Sequence, residues 1–293
     1  MIRRLPIAAL LVGAIAGCGG SHEPALPTDP VMERHASAGQ LALTLEQPEQ
    51  AVRQFRDGLT RARERDDAAA IADLGFDLSV AELQANQPEA ALKTATEVEA
   101  ELSRRSVAPL PALQLVNAVA LYRTGNLAAA DKLAAQVATA TDRDAAARAA
   151  FLRGLIADDR GDTAGLRAAI AGMPAVGSAP EHQADRAELS ARLALRDGDF
   201  RTAQARAKEA ADLRRDLVDY RALARCLALE ARAAELSGDH AGAADLYLRA
   251  GRTAAAQGDT ASAKRWLGAA IALSRDPVLT QAARSLLAGP SGL

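Results

Sequence analysis

The chain has almost no aromatic side chains, two cysteines, four histidines and four lysines among 293 residues. Each scarcity closes off a possibility. Aromatics are 3% of the residues while hydrophobic residues are 49%, so a core must be assembled from Ala and Leu. These are strong helix formers, and the β-branched runs that favour strands are absent, so the chain is expected to be nearly all α. Two cysteines allow one disulfide at most. Lys93, Lys132, Lys208 and Lys264 are the only lysines, and arginine carries the rest of the basic charge. That preference reads as a bias of the genome rather than of function. The formal net charge of −2 gives no reason to expect nucleic acid or an anionic membrane surface as a partner.

Chemistry-bearing motifs are scarce too. None of His22, His35, His182 and His240 has a second histidine at i+3 or i+4, so no helical metal pair is present. There is no HExxH, no Gly-x-Ser-x-Gly elbow and no glycine-rich phosphate cradle ending in lysine. Asp158, Asp159 and Asp162 form an acidic cluster, but it lacks the alternating spacing of a calcium loop. It falls at a helix end and turn, where solvated acids are ordinary. Arg160-Gly161-Asp162 spells an adhesion tripeptide, yet its glycine and aspartate belong to a repeat turn. The expectation is a protein that is not an enzyme, with no catalytic residue, no cofactor, no metal and no small-molecule substrate.

The N-terminus is distinctive. Arg3 and Arg4 precede an apolar stretch, Leu5 to Ala16, of 12 residues. That suits the hydrophobic segment of a secretory signal and is too short to span a bilayer, which takes about 20 residues. It ends in Ile15-Ala16-Gly17-Cys18, followed by the tether GGSHEPALPTDP, Gly19 to Pro30. This resembles the lipobox of bacterial lipoproteins: an aliphatic residue, two small residues, then cysteine. The resemblance implies removal of residues 1–17 and diacylglycerol on the Cys18 sulfur. It also implies acylation of the new N-terminus, which together give a stable anchor. Gly19 stands where aspartate would signal inner-membrane retention, so the resemblance implies the outer membrane, with the body facing the periplasm. The bland alternative is an ordinary signal in which Cys18 is incidental, or an apolar start on a chain that is not secreted. Without residues 1–17 the chain has 33 basic against 37 acidic side chains. Cys226 then has no intramolecular partner and reads as a small buried apolar residue in the helical stretch ALARCLALEARAAEL.

Polar turns punctuate the remainder. They begin at Glu46, Asn86, Gly125, Gly161, Gly198, Gly238 and Gly258, spaced 40, 39, 36, 37, 40 and 20 residues apart. An interval of 36 to 40 residues leaves room for two helices of about 15 to 18 residues each. Glycine supplies a left-handed residue at the end of one helix, and Asp, Asn or Pro opens the next. Small residues recur on one face, as in Ala203, Ala207 and Ala210. A single such pair cannot bury its apolar stripe, whereas stacked pairs can.

This pattern resembles the tetratricopeptide repeat. Counted from the turn, that family has a small residue at −7, Ala at +5, an aromatic or Leu at +9 and Ala at +12. Gly258 brings Gly251, Ala263, Leu267 and Ala270; Gly238 brings Ala231, Ala243, Tyr247 and Ala250; Glu46 brings Gly39, Ala51, Phe55 and Gly58. Gly198 brings Ala191, Ala203, Ala207 and Ala210, with Phe200 where an aromatic is frequent. The middle turns match less well: Val137 and Val98 occupy the last position after Gly125 and Asn86, and the Gly161 repeat has Leu166 and Met173. Most repeats exceed the family's usual length, and the final interval leaves the repeat count open.

The expected fold is a right-handed all-α solenoid of antiparallel helix pairs, with about 12 to 14 helices. Its parts are a signal peptide (1–17), a lipidated tether (18–30), a repeat array (31–277) and a C-terminal capping helix and tail (278–293). Ala171 to Gln183 is an irregular loop broken by Pro174, Gly177 and Pro180. It is either a loop absorbing a shortened helix or a hinge between two arrays. The resemblance implies a scaffold or adaptor that binds another cell-envelope protein in its groove, as in assembly of β-barrels, of secretins and pili, or of peptidoglycan-enzyme complexes. The competing expectation is a structural spacer in a polysaccharide-export or pilus machine.

Overall fold

The computed structural model describes residues 27–174 and 179–289. Fourteen helices follow one another in that part of the chain, with no strand among the described residues. They are α1 Pro30–Thr44, α2 Pro48–Glu64, α3 Ala68–Gln84, α4 Pro88–Arg104, α5 Pro111–Arg123, α6 Leu127–Val137 and α7 Arg143–Asp159. Then come α8 Thr163–Gly172, α9 Pro180–Arg196, α10 Phe200–Asp216, α11 Tyr220–Leu236, α12 His240–Ala256, α13 Thr260–Leu273 and α14 Pro277–Ala288. Each packs on the next, as the solenoid requires. None of these helices is long and apolar enough to cross a membrane.

The turn is the repeating unit, and it recurs more often than its glycines reveal. Positive φ occurs at Gly125, Gly161, Gly198, Gly238 and Gly258, but also at Glu46, Asp66, Asn86, Ser106 and Val218. The sequence pattern passes over the turns at Asp66, Ser106 and Val218, because they lack the glycine, asparagine or Gln-Pro signature of the others. With them included, the period is one helix and one turn, about 20 residues. The short final interval is therefore the ordinary period, and α12 is packed equally by α11 and α13.

Two devices open the helices. Asp67, Asn126, Asp142, Asp162, Asp199, Asp219, Asp239 and Asp259 each accept a backbone N–H from the first turn. Helices α2, α4, α5 and α9 lack a side-chain cap and begin with proline, which has no N–H to satisfy. Asp29 and Asp276 combine both. Asp29 also receives Arg61 Nε at 2.8 Å and Arg65 Nη1 at 3.3 Å, and Arg65 Nη2 donates to the Pro27 carbonyl. Its carboxyl is lowered to about 2, chiefly by the Met32 N–H.

The small residue at −7 faces the large one at +9. A Cβ on Gly39 would lie 2.5 Å from Phe55, and one on Gly251 would lie 2.6 Å from Leu267. Those two glycines are obligatory for close helix approach, and Phe55 and Leu267 are buried by it.

The array is thinnest at its middle, where α6 has 11 residues and α8 has 10 against 17 in most neighbours. The irregular loop expected at 171–183 is narrower than that: α8 runs to Gly172, and Pro180 starts α9 as an N1 proline instead of breaking a helix. Arg186 of α9 fastens the frayed end of α8 through the carbonyls of Ile170, Met173 and Pro174. At the C-terminus α14 lies on α12 and α13 and presses Leu279, Ala282 and Leu286 onto their core.

Candidate interaction face

Next-but-one packing joins the odd helices: α3 to α5, α5 to α7, α7 to α9 and α9 to α11. Among even helices comparable packing appears at α12 with α14. The stack is thus tighter along its odd side and bends toward it, which makes the odd helices the inner wall.

Polar side chains tie that wall together one repeat apart. Gln40 of α1 donates to Asp77 of α3, Tyr122 of α5 to Asp159 of α7, and Arg196 of α9 to Asp158 of α7. His182 of α9 bonds Asp144 of α7, and Arg225 of α11 donates to Glu188 of α9. The separations in sequence are 37, 37, 38, 38 and 37 residues. The sequence held this signal: complementary polar residues at one repeat's distance. Motif inspection passes over it, because each residue alone looks like solvated surface.

The densest part is centred on Glu188, whose side chain is 0% exposed. Arg225 Nε and Nη2 donate to its two oxygens at 2.7 and 2.9 Å, and Arg192 Nη2 adds a third bond at 2.9 Å. Arg192 Nη1 continues to Asp158 at 2.8 Å. Burial alone would raise the Glu188 carboxyl; the charges of Arg225 and Arg192 outweigh it and hold the group well below the usual carboxylate range. Burial also opposes the Arg225 charge, but Glu188 more than compensates and keeps it above its ordinary value. Tyr122 is pushed up to about 12 by burial and by its bond to Asp159. Arg225 further lies 6.0 Å over the ring of Phe151, so α7, α9 and α11 meet at one spot. Tyr122, Phe151 and Arg225 remain partly exposed there. Cys226 is buried behind them, and its thiol is pushed far up by burial and by Glu188, 3.7 Å away.

Cys18 and His22 lie outside the described residues. The three aspartates do not converge: Asp158 holds Arg192 and Arg196, Asp159 holds Tyr122, and Asp162 caps α8. Arg160 pairs with Asp131. His35 bonds Gln54. His182 belongs to the first turn of α9 rather than to the loop. No group of three or more potential metal ligands occurs among the described residues.

Two hollows remain. One, of about 530 Å³, lies over α7 where α6 and α8 are short, and is lined largely by Ala and Gly, with Asp131, Arg153 and Arg160 at its side. The other, of about 600 Å³, lies where the two ends of the array meet and includes Glu46, Asn86, Val218, Tyr220, Arg221 and Gln257. None of their lining residues is Cys, His, Ser or Lys.

That meeting of ends is the least expected feature. Arg221, at the start of α11, donates through Nη2 to the Gln84 carbonyl at the end of α3, 2.9 Å away and 137 residues apart in sequence. Gln257 Nε2 donates to Glu46 Oε2 at 3.2 Å, across 211 residues. The spiral completes a turn, and its rims touch.

No family model matches the chain, and no curated protein matches it. Solved structures do. A tetratricopeptide repeat protein from Parabacteroides merdae aligns over 88% of this chain and 100% of its own, with TM-score 0.50 and 13% identity. A second match is a structure of the APC/C hetero-tetramer Cut9–Hcn1, with TM-score 0.53 and 12% identity over 89% of this chain. This chain spans about half, 49%, of that one. The fold is the tetratricopeptide-type solenoid.

Proposed function

We propose that this chain is a protein-interaction scaffold whose inner wall holds an extended segment or a helix of another cell-envelope protein. Lipid on Cys18 would anchor it to the bacterial outer membrane, facing the periplasm. The observation that carries the reading is the cluster of Tyr122, Phe151 and Arg225. Aromatic and arginine side chains, tied to neighbouring helices and left partly open on a curved wall, are the groups that dominate protein contacts. Tagged protein recovered from crosslinked, detergent-solubilised envelopes should enrich one envelope complex, and that enrichment should fall when Phe151 and Tyr122 are both replaced by Ala. Equal recovery by the double variant sinks the inner-wall reading. The anchor has its own test: Cys18→Ala should release the protein from the outer-membrane fraction, and unchanged fractionation refutes it.

The spacer reading draws on the touching rims. A spiral closed on itself is a stiff body whose inner wall is screened. A spacer should co-purify with a whole machine and tolerate both inner-wall substitutions.

A further inference from the structure

The contact between the rims differs in kind from the helix packing elsewhere. It is polar, and the apolar side chains beside it stay open: Val218 is 60% exposed and Tyr220 is 36% exposed. It borders the open hollow of about 600 Å³. Interfaces meant to be permanent exclude water and bury apolar area.

Its chemistry is also balanced between attraction and repulsion. Arg221 Nη2 spans two helix C-termini, the Gln84 carbonyl ending α3 on one rim and the Gln257 carbonyl capping α12 on its own. A cation between two negative helix ends is favourable. Yet the end of α3 already holds a guanidinium. Arg123 donates Nη1 to the Leu83 carbonyl at 2.6 Å and Nη2 to Asn86 Oδ1. Burial first, and then the charge of Arg221, lower Arg123 below its ordinary value, against the pull of Asp259 and Glu89. Closing the spiral therefore brings two like charges to one helix end.

We infer that the rim contact is a reversible latch, with Arg221 as its clasp and Arg123 opposing it, and that the spiral opens there to expose the inner wall. The inference concerns the free protein, so it stands or falls independently of any partner.

The test uses the full chain in detergent, with spin labels introduced as a noncanonical amino acid at the exposed positions Gln50 and Thr260, flanking the contact. Pulsed dipolar spectroscopy should give a short and a long distance in the native chain. Arg221→Ala should raise the long-distance fraction several-fold while helical circular dichroism stays unchanged. Arg123→Gln should lower it, and Gln257→Ala should raise it less than Arg221→Ala. A single short distance that neither Arg221→Ala nor Gln257→Ala alters would overturn the latch. So would a long-distance fraction that rises with Arg123→Gln.

Discussion

Two buried-carboxylate sites in one solenoid have opposite electrostatic fates. On α9, Glu188 is sealed from solvent and carries four bonds from two arginines, and its carboxyl is held low. Near the other end, Glu82 of α3 is as deeply buried, but its partner Arg56 is more than half exposed, at 3.3 Å. Burial raises Glu82, and its Oε2 has no hydrogen-bond partner. Glu99 of α4 is alike: Asn117 Nδ2 serves Oε2 at 2.7 Å, Oε1 has no partner, and burial raises the group. Glu188 and Glu82 share their depth in the fold, and Glu99 is half-buried. What separates Glu188 from the other two is the number of cations bonded to it, and that decides the sign.

The largest effect should come from breaking the satisfied site. Glu188→Gln leaves two guanidiniums short of their charge partner and should cost about 3 kcal/mol at neutral pH, read from the urea midpoint. The native contribution of Glu188 is present above its ordinary value of 4.5 and is lost as pH falls toward the depressed folded value. An acid titration should therefore show the gap between native and variant closing below about pH 4.5.

The unsatisfied sites should answer in the opposite sense. Their folded values are raised from 4.5, so their contribution is full below that value and lost as pH rises through the folded one. Glu82→Gln and Glu99→Gln should each be neutral or stabilising by up to about 1 kcal/mol at pH 7, and destabilising relative to native at pH 4. A loss at pH 7 as large as that of Glu188→Gln would erase the distinction.

A third measurement probes the satisfied site without unfolding it. Cys226 should react with a thiol reagent far more slowly than an exposed cysteine. Glu188→Gln should speed the reaction, because it removes a charge that raises the thiol. The matching Glu82→Gln should leave the rate alone.

The smallest effect concerns the rim. Val218, between α10 and α11, is a β-branched residue at φ 58; at the corresponding place between α3 and α4, Asn86 adopts φ 60. Val218→Asn should relieve strain and stabilise by about 0.5 to 1 kcal/mol, read as a raised thermal midpoint.

Glycine, the Asp/Asn caps and the −7/+9 pairing made the helices and their stacking readable, because these are local rules. Asp66, Ser106 and Val218 hid three of the ten turns with positive φ, since they lack the glycine, asparagine or Gln-Pro signature that marks the others. Glu188 was invisible for another reason: Arg225 lies 37 residues away, and only the curvature of the wall makes them neighbours. The touching rims lay further still from any local rule, because they depend on summed curvature over the whole array.

Asp29 gives the fold a mechanical polarity. The chain comes in at Pro27 and Asp29, and both are clamped by Arg61 and Arg65 near the end of α2. A pull on the preceding segment is therefore shared at once by two helices. Whatever the segment is tied to, force from it enters the body of the spiral as a unit.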